Sequence, residues 1–251
     1  MRWLALALLL SQPVMATESL VTGLSRDDVQ ITADFTGTDI LVYGAVRRDS
    51  PAPEDLPMDV IVTLEGPSSP LVVRRKERQF GIWINGAATE FGDVPSYFAI
   101  ASTGPLADIL TENDDLRHKI SFERRISVTR LAAGSIDSHA FSSALQRIRG
   151  KQGSLQFDER GVKLAQDTLF RADFSLPSNL TEGRYRVRLF LLRGGQVMDT
   201  QDQSIDVRKT GIERQLTNMA RNQPLLYGIL SLLMAAAAGW AASELFRFIR
   251  R

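Results

Sequence analysis

Leu225-Leu-Tyr-Gly-Ile-Leu-Ser-Leu-Leu-Met-Ala-Ala-Ala-Ala-Gly-Trp-Ala-Ala-Ser243 is an almost unbroken apolar run near the C-terminus. A helix over this run would be roughly 28 Å long, at about 1.5 Å of rise per residue, which is close to the thickness of a bilayer's hydrocarbon core. The run therefore predicts one transmembrane helix at residues 224–246, with a cytoplasmic tail at residues 247–251. The preceding residues would form an ectodomain.

The N-terminus has the three parts of a secretory signal peptide. Residues 1–16 contain one arginine, a short apolar core, and the small residues Val14 and Ala16. The apolar core is too short to span a bilayer, which disfavours an uncleaved anchor and predicts cleavage after Ala16. The mature N-terminus would then lie outside the cytoplasm.

The orientation follows from the order of these two segments. Arg247, Arg250 and Arg251 agree with a cytoplasmic C-terminus, although the opposite flank is also basic. Because translocation begins before the stop-transfer helix emerges, the signal peptide determines the orientation of the chain in the membrane. We predict a single-pass protein of the bacterial inner membrane with its ectodomain in the periplasm.

The composition disfavours several function classes. The 251 residues contain no cysteine and only two histidines, His118 and His139, with a formal net charge of +1. This disfavours disulfides, zinc–thiolate sites and cysteine nucleophiles, and nothing points to a nucleic-acid partner. Ser135-Ile-Asp-Ser-His139 is too local for a catalytic triad. We predict no enzyme activity, no catalytic residues, no metal and no cofactor.

Residues 17–104 predict a β-sandwich module. Val29–Phe35 and Ile40–Val46 alternate around Thr36-Gly-Thr-Asp39, which predicts a hairpin. Short strands without a 3.6-residue period are typical of an immunoglobulin-like β-sandwich, so the predicted fold class is mainly β. The other strands predicted here are Met58–Leu64, Leu71–Arg75, Phe80–Ile84 and Ser96–Ala101.

The pattern then changes twice. Residues 105–160 predict a mostly helical connector, whose helix over Asp137–Ile148 would stop at Gly150. Residues 161–207 return to strands and form a C-terminal β module, with a hairpin turn at Arg193–Gln196. The sequence leaves open whether the ectodomain is one sandwich with an insertion or two modules. Two modules are favoured.

Two segments next to the membrane predict packing surfaces. Ile212, Leu216 and Met219 give residues 208–223 one apolar stripe, so this segment is either an amphipathic juxtamembrane helix or a polar stalk. In the transmembrane run, small residues recur every three or four positions, which indicates either close helix–helix packing or a mere alanine tract, with neither favoured. These helix-packing residues are Gly228, Ser231, Ala235, Ala238, Gly239 and Ala242.

Two features of the first module raise the question of a binding surface. Arg74-Arg-Lys-Glu-Arg78 either meets an anionic lipid or polyanion or, as the favoured interpretation, protects a strand edge. Trp83 alternates against Phe80, Ile82 and Ile84, so its indole is either an exposed binding residue or part of a second buried layer.

Several motifs together resemble a known family. They span nearly the whole mature chain and include Ile31–Gly37, Phe98–Thr103, Asp167–Ala172, Leu176–Asn179 and Pro224–Gly228. They are similar to an alphaproteobacterial family of single-pass transmembrane proteins of unassigned function, the Alph_Pro_TM type. The resemblance implies an inner-membrane protein with a periplasmic domain, and it supplies no catalytic residues.

Three functions compete. The favoured one is a non-enzymatic interaction or accessory component of the cell envelope. It would contact the lipid bilayer and another membrane protein, such as a transporter, or a second copy through the transmembrane helix. The alternative is a periplasmic ligand-binding or sensing module, with a pocket near Trp83 and Tyr97. An envelope hydrolase using His118 or His139 is least favoured.

Overall fold

The computed structural model describes residues 18–32, 34–49, 56–126, 128–131, 138–210, 220, 221 and 223–249. The chain divides into two compact units, the first including residues 36–207 and the second residues 30–35 and 208–251. The predicted signal peptide and the stripe at Ile212, Leu216 and Met219 lie outside the described residues.

The first unit is built mainly from strands. They are β1 (Glu18–Leu24), β2 (Asp28–Ile31), β3 (Thr38–Arg48), β4 (Met58–Glu65), β5 (Ser68–Gln79), β6 (Ile82–Pro95), β7 (Phe98–Ser102), β8 (Val128–Leu131), β9 (Leu155–Asp158), β10 (Val162–Ala165), β11 (Leu169–Leu176), β12 (Gly183–Arg193) and β13 (Gln196–Lys209).

The helices with described bounds are α1 (Leu106–Ile109), α2 (Glu112–His118), α3 (Phe122–Arg125), α4 (Ser138–Lys151) and α5 (Pro224–Ile249). The prediction of a mainly β fold is confirmed.

A four-stranded sheet, in the order β1-β3-β11-β10, buries one face. Along β11, Phe170, Ala172, Phe174 and Leu176 are buried and the intervening residues are exposed. This period of two is what the alternating sequence predicts for a strand with one solvated face.

A six-stranded sheet, in the order β2-β13-β12-β4-β7-β9, is covered on both faces at its centre. Val62 and Leu189 pair on one face, while Ile61 and Phe190 pair on the other, and all four are fully buried. Hydrogen bonds such as Leu20 N–H to Asp199 Oδ2 join the first face to the four-stranded sheet. The two sheets therefore form the two layers of a sandwich.

The second face of the six-stranded sheet packs against the helical middle of the chain. Its apolar cluster includes Phe122 on α3, Phe141 and Leu145 on α4, and Phe91 on β6. Strand β9 then returns parallel to β7, opposite residues 98–101. The helical middle is thus a third layer that closes the core.

The predicted hairpin between Val29–Phe35 and Ile40–Val46 is wrong. β2 lies beside β13 in the six-stranded sheet, whereas β3 pairs with β1 and β11 in the other sheet. The turn at residues 36–39 therefore carries the chain between layers. A turn between two alternating strands looks the same locally in either case.

The strands of the two predicted β modules share the same sheets. β11 pairs with β3, and β12 pairs with β4, so residues 17–104 and 161–207 contribute to both layers. In place of two separate modules, the described strands form one interleaved sandwich, because each layer needs strands from both parts of the chain to bury its inner face.

Two local turn predictions have different outcomes. Gly194 and Gly195, both with positive φ, form the predicted two-residue turn between β12 and β13. The predicted stop at Gly150 is wrong, because α4 continues to Lys151, and the glycine just past its end is Gly153. There Gly153 N–H donates to Gly150 O and Ser154 N–H to Arg149 O, which is the Schellman arrangement.

Candidate functional site

The β5–β6 hairpin ends in an exposed apolar tip, which we define as Phe80, Ile82 and Trp83. Gln79 pairs with Ile82, so Phe80 and Gly81 form a two-residue turn with φ of 49° and 86°. Both values match a type I′ turn. Phe80 is fully exposed, and Ile82 and Trp83 keep 65% and 67% of their surface. Trp83 is therefore exposed and does not belong to a second buried layer.

The apolar side chains of the tip are exposed on both faces of the hairpin. Ile82 and Trp83 are consecutive in a strand, so their side chains leave opposite faces of the ribbon. The predicted strand Phe80–Ile84 begins only at Ile82, because Phe80 occupies the turn. The sequence Phe-Gly gave no strong turn signal of the Asn-Gly kind, which is why the turn was missed.

A basic arm leads to this tip along β5, and we define it as Arg74, Lys76 and Arg78. All three side chains are exposed. Within the described part of the chain they form no ion pair, whereas Arg75 pairs with Glu77 at 3.0 Å. β5 is the outer strand of a three-stranded sheet, β5-β6-β8. Its location at an edge agrees with the edge-protection interpretation of the cluster.

A second cluster surrounds Glu65, which is 3% exposed at the end of β4. Its Oε1 accepts from Arg188 Nη2 at 2.6 Å and its Oε2 from Arg125 Nε at 2.7 Å. Arg188 also donates to the carbonyls of His118 and Lys119. The cluster therefore joins the six-stranded sheet to the helical layer, which is a structural role.

The outer members of this cluster are held as ions. Burial works against the charge of Arg125, but its bonds to Glu65 and Asp93 outweigh that effect and raise its pKa. Arg125 in turn holds the pKa of Asp93 below its usual value, mainly through their hydrogen bond.

A third cluster joins the two layers of the sandwich at Glu18. Its carboxylate accepts from Arg193 at 2.7 and 2.9 Å and from Arg48 at 2.9 Å. The Arg193 hydrogen bond is the main cause that lowers the pKa of Glu18, against the opposing effect of burial. Arg193 also donates to Leu56 O, so it is fully engaged in structure.

A cavity of about 290 Å³ opens where β7, β9 and β11 meet. Its polar lining residues are Gln156, Asp158, Asp173 and Ser175. A pocket was predicted near Trp83 and Tyr97, but neither residue lines this cavity. Tyr97 is buried instead, with its hydroxyl donating to Ser175 O at 3.3 Å, and burial raises the pKa of Tyr97.

The two histidines lie in different surroundings. The His118 ring packs edge-on against Phe190 at 6.0 Å, and His139 is exposed at the start of α4. Among the described residues, no group of three or more His, Asp or Glu side chains is arranged to hold a metal ion.

The predicted helix-packing residues lie on α5, in the second unit. Gly228, Ser231, Ala235, Ala238, Gly239 and Ala242 follow one line along the helix. A Cβ added at Gly228 or Gly239 would meet no atom within 4 Å. The Ser231 hydroxyl donates to Gly228 O at 3.0 Å. Counted over the residues that the structure describes, no helix is long and apolar enough to cross a membrane.

Comparison with known proteins identifies a family. The model of a family described as "Putative transmembrane protein (Alph_Pro_TM)" matches residues 19–248. No curated relative and no solved structure matches the chain.

Proposed function

The chain belongs to the Alph_Pro_TM family of transmembrane proteins, and from that premise we propose that it is a membrane-anchored interaction component of the cell envelope. Its β-rich domain lies in the periplasm, α5 anchors it in the inner membrane, and a short tail lies in the cytoplasm. It is not an enzyme. Its partner is another membrane protein, such as a transporter, or a second copy.

The anchoring rests on the family description and on the apolar run Leu225–Ser243. The description of the sandwich as immunoglobulin-like stays a prediction. Two ion-pair clusters in the first unit support a non-enzymatic role, because the carboxylates of Glu18, Glu65 and Asp93 are each bound by arginines. Ion pairs of this kind connect layers of a fold, so these three carboxylates are engaged in structure.

The observation that carries the proposal is the line of small residues on α5. Small side chains let a second helix approach closely, which is how helices associate in lipid. The Ser231 hydroxyl is already bonded within its own helix, so this face costs nothing to present to a bilayer or a partner. The opposite side of α5 carries Leu226, Leu233 and Trp240, which suit lipid contact.

A photocrosslinking amino acid at Ala235 tests this proposal. Ala237 is the matched control, since it is also an alanine, lies at nearly the same depth, and is about 200° away around the helix. Irradiation of cells carrying the full chain is expected to give a defined adduct from position 235 and little from position 237. Mass spectrometry of the adduct then identifies the partner or shows a dimer.

Uncrosslinked monomer at both positions would overturn the proposal, and so would equal adducts at both. The anchoring has its own test, because the protein should resist carbonate extraction. A C-terminal alkaline phosphatase fusion should be inactive while a fluorescent-protein fusion should fold. Recovery of the protein in the soluble fraction contradicts the anchor.

The cavity at β7, β9 and β11 supports the alternative, a periplasmic ligand-binding or sensing module coupled to a membrane partner. The lining residues that would attract a small cationic ligand are Asp158 and Asp173, although Asp173 already pairs with Arg171 at 2.8 Å. Thermal shift of the full chain against small organic cations tests it, with Asp158→Asn and Asp173→Asn as the variants that should lose any shift. No shift with any cation would remove this alternative.

A further inference from the structure

We propose that the tip of the β5–β6 hairpin inserts into the headgroup region of an anionic phospholipid bilayer. The tip consists of Phe80, Ile82 and Trp83, and the basic arm consists of Arg74, Lys76 and Arg78. This inference goes beyond the interaction of α5 with a partner, since it concerns a separate surface in the first unit.

The exposure of the tip is the first support. Three large apolar side chains lie together at the end of a ribbon, where none of them is packed. Isolated exposed apolar residues are ordinary, but a contiguous group marks an interaction site. Tryptophan is enriched where a membrane meets water, because its ring is apolar while its N–H is polar.

The backbone of Phe80 is the second support. A bulky residue with φ of 49° occupies the left-handed region, which is energetically unfavourable for L-residues. Asparagine is preferred at this position of a type I′ turn. The fully exposed phenyl ring makes no packing contact that offsets the cost of the positive φ. The conformation therefore serves to expose the ring at the apex of the hairpin.

The geometry favours a lipid layer over a protein groove. Ile82 and Trp83 leave opposite faces of the hairpin, and Phe80 extends from its end. A protein groove covers one face of a ribbon, whereas a bilayer surrounds an inserted apex on all sides. The apolar side chains are confined to the last few residues, which matches shallow insertion.

The basic arm supplies the complementary charge. Arg78 lies opposite Trp83 in the register, and Lys76 lies opposite Asn85, so cations follow directly behind the apolar apex. The acidic Glu77 is paired with Arg75. Each cation held near an anionic membrane surface strengthens the binding to that surface. Anionic headgroups lie at the depth that this order of residues requires.

The test uses the absence of cysteine from the chain. Gln79→Cys and Gln196→Cys place one environment-sensitive NBD label beside the two-residue turn of the β5–β6 and β12–β13 hairpins, respectively. The full-length protein is held in nanodiscs of phosphatidylcholine, with or without phosphatidylglycerol, and vesicles of the same lipids are added.

The label at position 79 is expected to shift to the blue and to be quenched severalfold by acyl-chain spin labels, only when phosphatidylglycerol is present. The label at position 196 should stay in water throughout. The double variant Phe80→Asn/Trp83→Thr should weaken binding to anionic vesicles roughly tenfold or more per side chain removed. Phe80→Asn should not lower stability, since asparagine suits the turn.

A water-exposed label at position 79 in anionic lipid would overturn the proposal. Equal insertion into neutral lipid would overturn the role of the basic arm. Shielding in native membranes but not in pure lipid would assign the tip to a protein partner instead. Val21→Thr and Leu169→Thr, at exposed apolar residues of the four-stranded sheet, should change nothing. Failure of the α5 anchor is distinguishable, because the protein would then not enter nanodiscs at all.

Discussion

Arg188 and Glu65 form an ion pair of 2.6 Å with both side chains almost fully buried, 12% and 4% exposed. Glu65 also holds Arg125, so one carboxylate neutralises guanidinium groups from two layers of the fold. Burying one charge requires burying its partners with it, and the result is a fixed connection between β12 and α3.

Glu65→Gln should therefore destabilise the protein by about 3–5 kcal/mol, because it leaves two buried arginines without a full counter-charge. Glu112→Gln is the control, since Glu112 pairs with Arg124 at an exposed site. That change should cost at most about 1 kcal/mol. Urea unfolding of the full chain in mild detergent, followed by circular dichroism, measures both. Equal costs would contradict the structural role of the buried cluster.

The stability should fall in acid through Glu18. Its pKa is lowered in the folded protein, so the folded state favours the ionised form. The stabilisation is present above the ordinary pKa of 4.5 and is lost as the pH falls through the lower folded value. Glu18→Gln should remove this part of the acid dependence while lowering stability at pH 7. Unfolding midpoints between pH 7 and 3 check this, and an unchanged slope in the variant would refute it.

Two glycines should respond in opposite directions to alanine. At Gly44, a Cβ would lie 2.5 Å from Val21 O and 2.6 Å from Phe170 Cζ, so Gly44→Ala should cost about 1–3 kcal/mol by overpacking. At Gly150, inside α4, a Cβ would meet nothing, so Gly150→Ala should stabilise by about 0.5–1 kcal/mol. Thermal unfolding of the pair measures the contrast, and the same sign at both sites would count against the packing described.

Tyr185→Phe should cost about 1 kcal/mol, because the buried hydroxyl donates to Thr181 O at 3.0 Å and the change leaves that carbonyl without its donor. Tyr43 is a matched control with an exposed ring, so Tyr43→Phe should be close to neutral. Tyr185→Phe should therefore lower the free energy of unfolding more than Tyr43→Phe does. A neutral Tyr185→Phe would show that water replaces the bond.

The parts of the fold that local patterns encode were predictable. Alternation located β11 and β12, and consecutive glycines located the turn at Gly194 and Gly195. The line of small residues on α5 was also visible in the sequence. In each case the signal lies within one element, where periodicity reports directly on burial.

Long-range pairing was not predictable. Nothing in the alternation of Val29–Phe35 distinguishes a hairpin with β3 from a place beside β13. Because arginines are usually exposed, nothing in the sequence indicates that the face of β12 carrying Arg188 is covered. It is covered by the helical layer, and the compensating Glu65 lies 123 residues away in the sequence. The exposed tip was missed as a site because Phe80 in a turn resembles the start of a strand.

The pairing of β11 with β3 determines how early the four-stranded sheet can form during synthesis of the chain. Ser175 bonds to Asp39 across 136 residues, so the first half of the four-stranded sheet waits for its neighbour. At translation speeds of about 5–20 residues per second, that wait is on the order of ten seconds. During it β3 has an open edge capable of joining a stray chain. A holdase that shields nascent polypeptide should therefore matter more for the yield of this protein than for one built from hairpins alone.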